Sequence, residues 1–509
     1  MNIGNQLKGR LCLALAFCTL GTLPIHAQVR LPNVFSDHMV LQQQQENKVW
    51  GRASANELVT VTIADQKHST TADANGDWQV KLRPLTAGGP HELTVSASNT
   101  IEIADVLVGE VWICSGQSNM QWNVQQSIDP DLEKLTAKFP NIRMINFPQV
   151  GSQEPIWEHP KSKWQVCSPE SVSSFSAVGY SFARQLHLAL DVPIGMINNA
   201  WGGSACEAWI SRNTLQSAGA YDELLAHWDS LAREADELSA NENSQSDEVK
   251  KKRSGLQGRL QGNHRPGNIY NGVLKSHLGY GIRGAIWYQG ESNASRAYQY
   301  RDLFPLMISS WRQEWGQGDF PFYWVQLADF KPESADPMES DWAELREAQT
   351  MTQDRLPKTG QAVIIDIGEG KDIHPQNKSD VGKRLARLAL ANDYSVDVAA
   401  QSPRFQSMEK QGNKIVLTFS HASGGWRPFD VSEPVGFAIA GEDKKFVWAT
   451  ANVLSDHRIE VFHSQIPNPQ AVRYGWADNP KCNMYSRAGL PLTPFRTDDW
   501  PGVTINNKK

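Results

Sequence analysis

Gly109-Glu110-Val111-Trp112-Ile113-Cys114-Ser115-Gly116-Gln117-Ser118-Asn119-Met120 is the stretch on which the fold turns. The run Val106 to Cys114 is almost continuously apolar, as a strand buried on both faces of a parallel sheet must be. It ends in glycine and then serine. A strand that ends this way presents a hydroxyl on the following turn, and the first backbone N–H groups of the next helix stand ready for an oxyanion. Ser118 as a simple helix cap explains the same residues, so the catalytic reading needs partners elsewhere in the chain.

Working outward, Ala177 to Leu190 reads as a helix and Ile194 to Asn198 as the next strand, with Gly284 to Tyr288, Phe322 to Leu327 and Ala362 to Ile367 as further strands. Lys378 to Ala391 carries apolar residues at helical spacing and closes the region. Strands alternating with helices predict an α/β domain over 109–400, its parallel sheet covered on both faces. Residues 28–108 predict short strands at Lys48 to Trp50, Leu58 to Ile63, Trp78 to Leu82 and Glu92 to Ala97. Turns at Asn75-Gly76-Asp77 and Gly88-Gly89-Pro90 make this a small accessory β-sandwich. The tail, 401–509, returns to strands at Lys414 to Phe419, Phe437 to Ile439, Phe446 to Ala449 and Arg458 to Phe462, forming a β-rich region. The polar, charged stretch 221–262 is an insertion into the α/β domain, read as surface, with a lid or a helical hairpin as alternatives.

Lys8 and Arg10, the apolar run Leu11 to Leu20 and the exit Ile25-His26-Ala27 form the three-part pattern of a secretory signal over 1–27. The mature chain is expected to begin near Gln28 and to be secreted or periplasmic. Bulky Phe17 before Cys18 argues against a lipid anchor, and no later run approaches the ~20 apolar residues of a membrane span. A net charge of -6 over 509 residues gives no footprint for nucleic acid or anionic membrane. Cys114, Cys167, Cys206 and Cys482 remain after the signal, with three full pairings or buried free thiols open to them.

Three more stretches follow predicted strand ends, where open parallel sheets build their ligand crevice. Asn199-Ala200-Trp201-Gly202-Gly203-Ser204 has paired glycines that let backbone N–H groups approach a ligand. Ile286-Trp287-Tyr288-Gln289-Gly290-Glu291-Ser292-Asn293 supplies amides and a carboxylate. Asp372-Ile373-His374-Pro375 brings an imidazole and a carboxylate together, as hydrolysis by serine requires. No HExxH or clustered metal-ligand spacing occurs.

GQSNM at 116–120, WGGS at 201–204, WYQGESN at 287–293 and DIHP at 372–375, in that order, resemble the four blocks of the sialate O-acetylesterase family of SGNH hydrolases. LPNVFSDHMVLQ at 31–42 and NMYSRAGLPLTPFRTD at 483–498 extend the likeness over nearly the whole chain. The resemblance implies a flavodoxin-like central sheet and release of acetate from acetylated sugars without metal or other cofactor. It implies Ser118 as nucleophile, His374 as base, and backbone donors at Ser118 and at a glycine of the Gly202-Gly203 pair, taken as Gly203. Gln117, Asn119, Trp201 and Glu291 of the same blocks are expected at the substrate.

Two positions depart from the general pattern. Asn293 follows Gly290 by three residues rather than two, so Gln289 is preferred over Asn293 as side-chain oxyanion donor. The place three before the histidine is Lys371, so Asp372 is chosen to orient the ring, with Asp366 or a carbonyl as alternatives. The implied substrate is 9-O-acetylated sialic acid, with acetylated xylan or pectin as the other reading. A sialic acid carboxylate calls for a cation, for which Arg212, Arg265 and Arg346 are candidates. A non-catalytic carbohydrate-binding protein would be marked by loss of Ser118 or His374, and both are present.

Overall fold

One strand decides how the chain is organised. Thr100–Gly116 runs for 17 residues, and its burial pattern changes along it, partly exposed at first and buried throughout from Val106 onward. In the computed structural model, which describes residues 28–240 and 246–509, its first half pairs antiparallel with Gly88–Ser96. Its second half lies between parallel neighbours. The boundary expected at 108/109 therefore falls inside a strand that two sheets share. Val40–Gln42 also pairs with Leu107 to Gly109 across it. The expected signal segment, 1–27, lies outside the described residues.

The central sheet comprises β1 (Thr100–Gly116), β2 (Phe139–Asn146), β3 (Ile194–Asn198), β4 (Gly284–Tyr288), β5 (Phe322–Val325) and β6 (Thr359–Ala362). Their order is β6-β5-β4-β1-β3-β2, all parallel, with Gln165–Cys167 antiparallel on the outer edge of β2. The chain leaves β1 to one side and returns to build on the other. The C-terminal end of β1 is thus the switch point where such sheets bind ligands, and Ser118 stands there. The strands from β3 to β6 with β1 follow the expected flavodoxin-like order, and β2 is added beyond β3.

Helices α1 (Ala177–Leu190) and α4 (Lys378–Asp393) cover one face with Val178, Phe182, Val381 and Leu385. Helices α2 (Ala297–Trp315) and α3 (Asp341–Arg355) cover the other with Phe304, Met307, Trp311 and Leu345. Burial on both faces is why these strands are apolar throughout. The sequence reading missed β2 because Pro140, Asn141 and Arg143 interrupt its apolar run. The strand expected at Ala362 to Ile367 is instead Thr359–Ala362, and the chain turns after it, Ile367 N–H donating to the Ile364 carbonyl.

The insertion is not featureless surface. Asp222–Ala240 and Asp247–Leu260 are helices that share a small core of Leu224, Trp228, Leu231, Ala235 and Leu256, the helical alternative. The tail forms two four-stranded antiparallel sheets around its own core of Leu417, Phe419, Ile439, Val461 and Tyr474. Cys114, Cys167, Cys206 and Cys482 are free thiols. Among the described residues, no helix is long and apolar enough to cross a membrane.

Candidate active site

Gly116 ends β1 at φ +131, and an ideal Cβ there would lie 2.2 Å from the Tyr288 carbonyl oxygen. Only glycine lets the strand turn so close to β4. The turn starts a short helix, Ser118–Gln121, which places Ser118 at its first position. Its hydroxyl is 2.9 Å from His374 Nε2. Nothing in the sequence joins these two residues, 256 positions apart; the sheet brings them together.

His374 sits on the loop after β6. Its backbone N–H donates to Asp372 Oδ1 at 2.9 Å, and the same oxygen is 3.4 Å from Nδ1. Asp372 therefore fixes the loop more firmly than the ring. Asp366 is occupied elsewhere, in a bidentate pair with Arg384 and as acceptor from Tyr485. Trp122 lies flat on the imidazole, with centroids 4.7 Å apart and planes at 13°. Burial, then the positive charge of Lys378, lower the His374 pKa below the ordinary histidine value against a smaller opposing pull from Asp372. A neutral imidazole is the form that accepts a proton from serine.

The other expected residues divide by position. Of the glycine pair, Gly202 lies beside Ser118: its ideal Cβ is 3.4 Å from Ser118 Cβ, and its N–H donates to Gln121 Oε1 at 2.7 Å. At Gly203, φ +71, an ideal Cβ would meet Asn263 Nδ2 at 3.3 Å. Gln289 and Asn293 lie beneath the crevice rather than in it. Gln289 Nε2 donates to the Ser204 carbonyl and to Asn293 Oδ1, while Asn293 Nδ2 donates to Glu207. Both amides are fully buried and committed to holding the second and third blocks together. Neither donates to the crevice, which corrects the expectation of a side-chain oxyanion donor there.

Gln117, Asn119, Glu291 and Trp201 are likewise supports. Gln117 Oε1 accepts from the N–H groups of Gly290 and Ser292 at 3.3 and 3.4 Å. Asn119 Nδ2 donates to Glu291 Oε1 at 2.7 Å and to the Ile373 carbonyl at 3.0 Å. Trp201 packs partly buried against the core.

The crevice, about 480 Å³, is lined by residues the sequence reading did not single out. Gln121, Asn123, Gln126, Asn146, Gln149 and Asn198 provide amides beside Trp122 and Phe147. Asn146 and Asn198 are the last residues of β2 and β3, so the rule that ligands bind at strand ends was the signal available for them. The three arginines considered for a carboxylate lie away from this lining. Arg212 forms a bidentate pair with Asp229, and Arg346 is fully buried, donating to four carbonyls. Arg265 donates to the Leu260 carbonyl.

Residues 108–240 and 262–391 match the family described as carbohydrate esterase, sialic acid-specific acetylesterase. The chain is 28% identical to the sialate O-acetylesterase of Mus musculus, covering 92% of this chain and 94% of that one. To the Homo sapiens sialate O-acetylesterase it is 27% identical, covering 94% and 95%. A carbohydrate acetylesterase from Xanthomonas citri, solved by crystallography, superposes with a TM-score of 0.81 at 37% identity, covering 93% of this chain and all of that one.

Proposed function

The chain belongs to the carbohydrate esterase family of sialic acid-specific acetylesterases, and from that premise we propose that it removes O-acetyl groups from sugars through an acetyl-enzyme on Ser118. The observation that carries this reading is the 2.9 Å contact between Ser118 Oγ and His374 Nε2 at the switch point of the sheet. His374 takes the serine proton as Oγ attacks the acetyl carbonyl. The tetrahedral oxyanion is met by the Ser118 N–H at the start of its short helix and by the Gly202 N–H on release from Gln121. Each such donor contributes about 3 kcal/mol to the transition state. The oxyanion collapses, the sugar oxygen leaves with the proton from His374, and water repeats the sequence to free acetate.

For the sugar, the family and the mammalian relatives support O-acetylated sialic acid, of which the 9-O-acetyl form is the expected substrate. The lining supports a second reading. Its six amides suit hydroxyl groups, which both give and take hydrogen bonds, and among the described residues lining the crevice none is Lys or Arg. A carboxylate bound there would meet amide donors but no cation, which favours a neutral acetylated polysaccharide such as xylan. The segment 1–27 supports action outside the cytoplasm.

Acetate release from acetylated sialic acid and acetylated xylan, side by side, tests both points. Ser118→Ala should lose turnover by about 10⁴-fold or more while remaining folded. Substantial residual activity in that variant would overturn the serine mechanism, and release chiefly from sialic acid would overturn the neutral-sugar reading.

A further inference from the structure

Lys378 opens helix α4 and is completely buried, though nothing in the mechanism uses it. Its Nζ donates to Asn119 Oδ1 at 2.5 Å. The other side of the Asn119 amide holds Glu291 and the Ile373 carbonyl. One amide thus joins a buried ammonium, a buried carboxylate and the peptide preceding the catalytic histidine, from the residue next to the nucleophile. Trp122 and Tyr288 complete the enclosure, their ring centroids 5.8 and 5.5 Å from Nζ. Glu291 Oε2 is buried without a hydrogen-bond partner among the described residues.

A buried lysine with one neutral hydrogen-bond partner is expensive to maintain. A methionine would fill the same space, so the charge itself calls for an explanation. Resting on the serine-esterase reading above, we propose that Lys378 is a positioning residue for that reaction. It locks the Ser118-Asn119 turn to the Ile373-His374 segment, and in its ammonium form it disfavours a second positive charge on His374. The charged groups facing it are Glu291 on the turn after β4, and Glu369 and Asp372 on the loop after β6. All three favour its ammonium form against a burial that pulls its pKa down to about 7. In acid, where His374 is at risk of protonation, Lys378 carries its charge. That charge disfavours a second one on the imidazole.

The experiment is the pH profile of kcat/KM for acetate release by wild type, Lys378→Met, Lys378→Gln and Lys378→Arg, with Ser118→Ala as blank and thermal unfolding as a fold control. In either neutral variant the acid limb should move up by about one pH unit, a roughly tenfold loss on the acid side. KM should be unchanged, because Lys378 lies outside the crevice, and Lys378→Arg should retain the wild-type limb. A folded neutral variant whose limb stays in place would overturn the proposal, leaving Lys378 a packing residue. Should neither neutral variant fold, the arginine variant decides: a limb displaced despite a permanent cation overturns it. Activity remaining in Ser118→Ala would instead strike at the serine mechanism.

Discussion

Trp122 and His374 lie face to face, 4.7 Å between centroids, so the imidazole proposed as base is held by an aromatic surface as well as by its loop. The indole is itself anchored, donating to the Gln126 carbonyl at 2.9 Å. A stack of this kind is worth about 1 kcal/mol. Trp122→Ala should lower kcat roughly fivefold to tenfold, and Trp122→Phe should stay within about threefold. Equal losses in the two variants would show that the stack does not orient the base.

Asp372 is the nearest carboxylate to the ring, but at 3.4 Å and half-exposed its charge is screened. Asp372→Asn should lower kcat by less than about tenfold. A loss of a thousandfold would mean that the loop tightens into a full triad when substrate binds.

Gly202→Ala adds a methyl 2.9 Å from Gln121 Oε1 and 3.4 Å from Ser118 Cβ, displacing a proposed oxyanion donor. Misplacement of about 1 Å costs on the order of a hundredfold in rate. The fold should survive, since the closer contact is the end of a flexible side chain. Gly203→Ala strains a left-handed residue by about 1 kcal/mol yet faces Asn263, so stability should fall while kcat changes little. The reverse pattern would make Gly203 the donor.

His277 is completely buried against Phe147, and burial followed by nearby His159 pushes its imidazole down to about 3 from 6.5. Below pH 6.5 an unfolded chain binds a proton there that the folded chain refuses. Stability therefore falls as the pH drops from 6.5 toward 3, by about 1.4 kcal/mol per unit. His277→Gln keeps a polar group for Asn199 and removes the titration. Its urea midpoint should decline less steeply between pH 6 and about 4 than that of wild type, and parallel slopes would refute the assignment.

The sheet was legible because burial on both faces leaves apolar runs that only a parallel strand explains, as at Ile194–Asn198 and Gly284–Tyr288, both read to the residue. β2 was not, because Pro140 and Asn141 break its apolar run where its pairing with Gln165–Cys167 is irregular, between Phe139 and Arg143. At the site, Ser118 and His374 could be read from local context, since each follows a strand end. The direction in which an amide points is a tertiary fact. Gln289 and Asn293 carry the right chemistry at the right place in the chain, and face the core. Lys378 escaped notice because a lysine beginning a helix looks solvated; only the assembled fold shows it enclosed by Trp122, Tyr288 and Asn119.

Because Thr100–Gly116 pairs over its first half with the N-terminal antiparallel strand Gly88–Ser96 and over its second with the central parallel sheet, the N-terminal region is not a detachable module. No cut at the junction separates an intact half from an intact half: a chain begun at residue 109 would keep Ser118 but start in the middle of the strand that presents it. Heat should then melt sandwich and esterase as one cooperative unit.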